Sequence, residues 1–296
     1  MKIHTLVILC WVLCFCTFCS LAQDKEAISI TYGVSRLHYH DTAAGMRQLE
    51  VKARLPLLHQ GGNMLVVGMN YKLLSPDDLP AAYGDALHGA SVQVAWIARL
   101  NERKSLTVFA QAGLFSDMQD ISAKDLRYGL GIRYRVRHSD KLATGWGLGY
   151  SRQFFGNQLV PFIDLQYMPN QHWSISGQFP IKPKVLYHFN DQVAVGLEVS
   201  GDGSSYRLSH DKNNDQFVQV NQWAALARLE YRFASSWLLT LGLGSNLRQS
   251  YRLYNDASNI PWTIITVPLG DRDAPVQEIK SRGLQLQVGF AFSPFR

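Results

Sequence analysis

Charged residues that recur at every second position of several segments are the main candidates for chemistry in this sequence. In DLRYGLGIRYRVR, Asp125 to Arg137, apolar residues occupy one parity and mostly arginines the other. Side chains of a β-strand point alternately to its two faces, so the segment predicts a strand with one oily and one charged face. The charges that this reasoning assigns to the interior of a β-structure are Glu50, Lys52, Arg54, Arg127, Arg133, Arg135, Asp164, Arg228, Glu230 and Arg232.

Two kinds of chemistry are open to such a set. Rings of arginine favour anions, so the charges could make a selective pore or an anion-binding site. They could equally pair with one another and fill the interior as a structural network. Small barrels are filled by side chains, whereas barrels of sixteen or more strands leave a water channel. With about fourteen strands, we expect a narrow or largely filled lumen.

Catalysis and metal binding find little support in the sequence. After residue 22 there are eight histidines, most of them in predicted turns or loops: His38, His40, His59, His88, His138, His172, His188 and His210. His38 and His40 share a strand face, but no second matched pair accompanies them. No G-x-S-x-G motif is present. We therefore predict no catalytic residue, no metal, no cofactor and no enzymatic activity.

From Ile28 onward, the sequence predicts that the charged residues lie on β-strands. The predicted strands include two short ones, Val185 to Phe189 and Val193 to Val199, followed by a polar loop over 200–215. Short turns alternate with long polar loops, which is typical of outer-membrane barrels. The fold class predicted is all-β, an antiparallel up-and-down transmembrane β-barrel of about 14 strands, range 12 to 14. The alternative is a soluble exported β-protein whose apolar faces pack together.

A glycine pattern opposes the arginines across the predicted turn at His138 to Lys141. If faces match in this hairpin, Arg135 lies opposite Gly145, Arg133 opposite Gly147 and Gly131 opposite Gly149. We interpret these glycines as room for inward-pointing arginines. A phosphate-cradling loop is disfavoured because such loops join a strand to a helix, and no helical period follows.

Aromatic residues collect beside the short turns. Tyr167 and Trp173 flank one turn, Phe233 and Trp237 flank another, and Tyr134 precedes the turn at His138. Such positions suit an interfacial aromatic girdle, whereas hairpin-end packing in a soluble sheet is the alternative.

The first 22 residues have the layout of a secretory signal peptide. Lys2 is their only formal charge, an apolar run follows, and Ser20-Leu21-Ala22 forms a small-x-small cleavage site. We predict a signal peptide over 1–22 and a barrel domain over 23–296. All four cysteines lie in the signal segment, so the exported chain has neither disulfides nor thiolate ligands. Its basic surplus is dispersed, which makes nucleic acid an unsuitable partner.

One long block resembles a known family. It runs from Gly145 to Leu208 and reads GWGLGYSRQFFGNQLVPFIDLQYMPNQHWSISGQFPIKPKVLYHFNDQVAVGLEVSGDGSSYRL. It is similar to uncharacterised, exported, outer-membrane-barrel-like proteins of Gram-negative bacteria, classed as a domain of unknown function. The resemblance implies a barrel in the cell outer membrane and no particular activity. One departure is that Pro294, Phe295 and Arg296 follow Phe292, whereas outer-membrane barrels commonly end on an aromatic residue.

The expected function is passive. The chain would be a porin-like narrow channel, or a structural barrel with external loops, whose solute the sequence does not identify. Its partners would be outer-membrane lipid and the barrel assembly machinery. The alternatives are an outer-membrane barrel enzyme acting on lipid, which needs a rim serine and histidine, and a soluble exported β-protein.

Overall fold

The computed structural model describes residues 26–39, 42–77, 79–209, 216–234, 236–255 and 262–294. Besides two short 3₁₀ turns, Ala81–Tyr83 and Ala123–Asp125, the regular elements of this part of the chain are strands. In chain order they are β1 (Ile28–Tyr39), β2 (Thr42–Gln60), β3 (Asn63–Asp77), β4 (Leu87–Arg99), β5 (Lys104–Ser116), β6 (Leu126–Arg137), β7 (Leu142–Gln153), β8 (Gly156–Tyr167), β9 (Trp173–Phe179), β10 (Lys182–His188), β11 (Val193–Arg207), β12 (Phe217–Phe233), β13 (Trp237–Tyr254), β14 (Thr263–Ile264), β15 (Val267–Pro268) and β16 (Gln277–Phe292).

The strands close into a barrel. Each of β1 to β13 pairs antiparallel with its neighbours in sequence, and β16 pairs with both β13 and β1. The pairing of β8 with β9 is part of the same ring. Because β14 and β15 form a small hairpin outside the ring, the wall has 14 strands. The predicted all-β antiparallel barrel and its strand number are confirmed, and the strands predicted over 185–189 and 193–199 are present as β10 and β11.

The two ends of the barrel differ in their connections. One end, called the turn end, carries short connections at 61–62, 100–103, 138–141, 168–172, 189–192 and 234–236. The opposite end, called the loop end, carries the longer connections, including 78–86, 117–125, 208–216 and 255–276. The long connections all lie at the loop end as predicted, but the β7–β8 and β9–β10 connections on the same side, 154–155 and 180–181, have two residues each. In the part of the chain that the structure describes, no helix is long and apolar enough to cross a membrane.

The outer face of the wall is apolar all round the ring. Leu130 on β6 is 55% exposed and Leu284 on β16 is 67% exposed, although both lie in the middle of ordered strands. Tyr128 and Ile132 are exposed on the same side as Leu130. The apolar face of β6 thus points away from the barrel axis, and its arginine face points inward.

A short hairpin interrupts the wall at the loop end. Strands β9 and β10 have seven residues each. The parts of β8 and β11 nearer the loop end therefore lack a neighbouring strand where this hairpin stops. The free edge of β8 is covered by β14, where Thr263 and Ile264 pair with Gln158 and Leu159. These backbone groups are thereby satisfied, as buried strand edges require.

Strand β11 is longer than predicted. The half of β11 nearer the loop end crosses that end of the barrel. There Arg207 pairs in parallel with Ser116 of β5 on the opposite wall. The predicted loop over 200–215 is wrong for 200–207, because this glycine- and serine-rich segment is held as a strand by continuous pairing with β12. The strand predicted from Asp125 begins instead at Leu126, since Asp125 closes a 3₁₀ turn.

The hydrophobic core lies inside the barrel at the loop end. We call this cluster the plug. Its buried members come from opposite walls and from the 78–86 connection: Met46, Leu74, Tyr83, Leu87, Tyr206, Leu208, Val218, Val220, Tyr251, Leu253 and Ile279. A second buried group, Phe154, Phe155, Phe217 and Tyr254, adjoins it, and Phe115 packs against both. An apolar core therefore occupies the loop end of the interior.

The register between β6 and β7 is as predicted, with Arg133 opposite Gly147 and Arg135 opposite Gly145. The space above the glycines is filled differently. A Cβ at Gly147 would lie 2.1 Å from the ring of Phe162, and one at Gly131 would lie 2.3 Å from the ring of Phe109. The interpretation as room for arginines is therefore wrong at these two positions, where phenylalanine rings lie flat against the wall.

The glycine at 147 gives a stability prediction. Gly147→Ala should destabilise the barrel by about 1–3 kcal/mol, because the new methyl group overlaps the Phe162 ring and overpacks the interior. Gly149→Ala on the same strand is the matched control, since its nearest neighbours would lie 3.8 Å away. Urea unfolding of the two purified variants measures the difference. Equal stability of the two variants would contradict the packing described here.

Candidate functional site: the basic interior

A cavity of about 840 Å³ occupies the barrel beneath the plug. Its lining extends from Pro56, Met64 and Ile97, close to the turns, up to Phe115 and Asp202 under the plug. The cavity thus follows the barrel axis and approaches the turn end. Its size is within the range of small-molecule sites in proteins.

The lining is basic. Eight basic and four acidic side chains contribute to it, an excess of four positive charges. The basic residues are Lys52, Arg54, Lys72, Arg127, Arg133, Lys182, Lys184 and Arg228, and the acidic ones are Glu26, Glu50, Glu198 and Asp202. Such an excess within low-dielectric walls gives a positive potential that attracts anions.

One charged cluster is built by β6 and β8. Arg133 donates a hydrogen bond to the carboxylate of Asp164 at 3.1 Å, and Arg135 lies 3.8 Å from the same oxygen. Arg135 also donates to the amide oxygen of Gln166 at 2.5 Å. Asp164 is 1% exposed and lies opposite Gly145 of β7, whose missing side chain leaves space for the carboxylate. Two guanidinium groups thus share one buried counter-charge.

A second cluster lies on β10, β11 and β12. Arg228 donates to Glu198 at 2.7 Å and to Glu230 at 2.9 Å. Lys184 donates to the same oxygen of Glu230 at 3.0 Å. Two cations and two anions balance here, so this cluster is close to neutral and ties three neighbouring strands together.

A third group crosses the lumen. Lys72 of β3 forms an ion pair with Asp202 of β11, and these strands stand on nearly opposite sides of the ring. Glu50 and Lys52 of β2 pair with each other at 2.7 Å close to Lys72. The bridge narrows the interior just below the plug.

The remaining predicted interior residues lie apart from these clusters. Arg127 lies near the loop end, with its guanidinium carbon 3.1 Å from the centre of the Phe154 ring. Arg232 lies at the turn end of β12, opposite Leu238. The structure therefore brings together Arg133, Arg135 and Asp164, and separately Arg228 and Glu230. The sequence prediction does not include Lys72, Lys184, Glu198 and Asp202, because each of them pairs with a side chain on another strand and not through the alternation of its own strand.

Polar contacts hold the plug in place. Arg207 donates to Asp125 at 2.8 Å and to Asp120 at 2.9 Å, which fastens β11 to the connection after β5. From the 255–276 connection, Arg272 donates to Gln219 at 2.8 Å and to the backbone oxygen of Phe155 at 2.6 Å. Burial lowers the pKa of Arg272 from its ordinary value, yet a guanidinium remains cationic at neutral pH.

The histidines do not gather into a site. Among the described residues, no group of three or more histidine, cysteine, aspartate or glutamate side chains is arranged to hold a metal ion. His88 bonds to Tyr71 at 2.9 Å and His188 to Ser174 at 2.8 Å. His40 and His210 lie outside the described residues.

Fold and interior together define a class: a closed 14-strand antiparallel β-barrel with an apolar outer face and a basic cavity under a plug. The model of the family described as a domain of unknown function (DUF6268) matches residues 42–258, so the chain belongs to this family. The family predicted from the sequence block is confirmed. No curated protein matches the chain.

Several solved barrels are similar over most of the chain. A KdgM porin in complex with disordered oligogalacturonate is 10% identical, with a TM-score of 0.35, over 90% of this chain and 98% of that one. A NanC porin is 12% identical, with a TM-score of 0.36, over 90% and 99% of the two chains. A deltaS2 mutant of the TodX monoaromatic hydrocarbon channel is 8% identical, with a TM-score of 0.37, over 90% and 89%. Similarities this distant assign no function to the chain.

The cluster around Asp164 gives the prediction for this site. Asp164→Asn should cost roughly 3–5 kcal/mol of unfolding free energy, because it leaves two inward-facing guanidinium groups without their buried counter-charge. Asp140→Asn is the control. Its carboxylate also pairs with an arginine, Arg137 at 2.6 Å, but the side chain is 93% exposed and should contribute little.

Urea unfolding of the two variants measures these free energies. The double variant Arg133→Gln with Asp164→Asn should recover part of the loss. An Asp164→Asn barrel as stable as the parent would show that the pair does not hold β6 to β8.

Proposed function

We propose that this protein is an integral outer-membrane β-barrel whose basic interior admits small anionic solutes from the turn end. The observation that carries the proposal is the combination of an apolar outer face around the whole ring with an excess of positive charge inside. The plug represents a closed state at the loop end.

Membrane insertion is supported by the outer surface. Exposed leucine, isoleucine, valine and aromatic side chains cover far more than the scattered apolar positions of a soluble surface. Each strand of the closed ring pairs with two neighbours, apart from the edges of β8 and β11 beyond the short β9–β10 hairpin, and such internal pairing is the condition for crossing lipid. Bacterial outer-membrane barrels have an even number of strands with short turns on the periplasmic side. The turn end would then face the periplasm.

The length of the apolar band agrees with this placement. On β16 the outward series runs from Phe292 to Leu284, eight residue steps. At about 3.4 Å per residue and a tilt near 45°, this covers roughly 19 Å of bilayer, about three quarters of the apolar band of about 25 Å in such barrels.

A structural barrel without conduction is the second candidate function. The plug and the Lys72–Asp202 pair across the lumen favour it, because both obstruct the axis. The two candidates share the membrane location and differ only in whether the plug moves.

Membrane insertion predicts a heat-dependent mobility. Extracted in cold SDS, the outer-membrane protein should migrate differently from the boiled sample, because a closed hydrogen-bonded wall resists the detergent. Fractionation and electrophoresis check this. Recovery in the soluble fraction with no mobility shift would show that the apolar faces meet each other, and the proposal would fail.

The interior predicts anion preference in planar bilayers. Openings of the purified barrel should pass chloride in preference to potassium, because basic side chains outnumber acidic ones in the cavity lining. Lys182→Gln with Arg54→Gln should bring the permeability ratio closer to one. Lys104→Gln, which removes an exposed cation at the turn end of β5 outside the cavity lining, should leave it unchanged. If neither parent nor variants pass current, the structural barrel is the correct function.

A further inference from the structure

Three exposed arginines meet on the outer face of the barrel near the loop end. Arg36 of β1 follows the outward positions Tyr32 and Val34, and Arg282 of β16 precedes the outward positions Leu284 and Leu286. Arg248 of β13 is exposed beside the register shift where β13 passes β16. We call Arg36, Arg248 and Arg282 the arginine patch.

The sheet register places the three close together. Strand β16 lies between β1 and β13. A Cβ at Gly283, next to Arg282, would lie 3.7 Å from the Cβ of Arg36. On the other side of β16, Asn246 pairs with Gly283 and Gln249 with Ser281, so Arg248 falls within the bulge opposite Arg282. Neighbouring positions on paired strands are about 5–8 Å apart, a span that one phosphorylated headgroup can bridge.

The patch carries uncompensated charge. Within the part of the chain that the structure describes, none of the three guanidinium groups has a hydrogen bond or ion pair with another residue. Nearby cations differ in this respect: Lys280 and Arg252 both bind Glu278, at 2.9 Å and 2.5 Å, and Arg47 pairs with Asp77. Three adjacent arginines without a counter-charge repel one another unless an anion lies between them.

The position of the patch indicates the source of that anion. Directly below it, the outward side chains of Val34, Leu284 and Leu243 are apolar and exposed. A free anion would need only the arginines, whereas a phosphorylated lipid would place its acyl chains on these residues and its phosphates on the guanidinium groups. Guanidinium groups bind phosphate through two parallel hydrogen bonds, and basic pockets at the membrane edge bind lipid headgroups.

We propose that the arginine patch binds the phosphate groups of a lipid in the outer leaflet, beside β13, β16 and β1. This site rests on the proposed membrane location. It lies on the outer face of the wall and is independent of whether the lumen conducts.

Native mass spectrometry of the full barrel in neutral detergent tests the site, with diphosphoryl lipid A as the probe. Replacing the patch by Arg36→Gln, Arg248→Gln and Arg282→Gln should weaken binding by about 100-fold, since each cation near a charged lipid contributes roughly fivefold. The control replaces three exposed cations of the turn end, Arg103→Gln, Arg137→Gln and Lys141→Gln, and should bind as the parent does.

Two further comparisons make the result decisive. A lysine version of the patch keeps the charge, loses the paired hydrogen bonds and should bind with intermediate affinity. Inorganic phosphate should not compete, because it lacks the acyl chains. Parent-like lipid binding by the glutamine variant, or equal competition by inorganic phosphate, would overturn the proposal. Heat-dependent mobility of each variant shows that the barrel is intact, so loss of the site is distinguishable from failure of the membrane placement.

Discussion

A closed ring of paired backbone hydrogen bonds is the requirement from which the other features of this barrel follow. Fourteen strands meet it through antiparallel neighbours, from the β1–β16 pairing to the β8–β9 pairing. Where the short β9–β10 hairpin leaves two edges exposed, the chain supplies other partners: β14 pairs with β8, and Arg207 of β11 pairs with Ser116. Strand β11 crosses the loop end of the barrel beside this gap in the wall, and its Tyr206 belongs to the plug.

The interior of the barrel is filled in two ways. At the loop end, side chains from opposite walls form an apolar core that needs no compensation. Below it, charged side chains remain, and most are paired, as buried charge requires. Asp164 and Glu230 each receive two cations, while Asp202 binds a lysine from the far wall. The excess positive charge that remains gives the cavity its proposed preference for anions.

Much of the wall follows from the sequence, because a period of two residues fixes both the strand and its faces. The alternation around Arg133 predicts β6, its outward leucines and its register against the glycines of β7. Contacts between strands that lie far apart in the chain do not follow from the alternation within one strand. The 200–207 segment lacks apolar alternation, so its strand was not predicted. Lys72 and Asp202 lie 130 residues apart in sequence. The phenylalanine rings over Gly131 and Gly147 come from β5 and β8. A prediction that pairs only β6 with β7 does not include these strands.

In the proposed membrane placement, alternate residues of one wall face lipid and water. Because the sequence after residue 22 has no cysteine, single cysteines can report on each face. A small fluorophore on Leu130→Cys should be quenched by nitroxide groups on lipid acyl chains, and one on Gln111→Cys, in the cavity lining, by water-soluble iodide. That reciprocal pattern is the result predicted here. Quenching of both sites by iodide alone would contradict the account, since the outer face would then meet water.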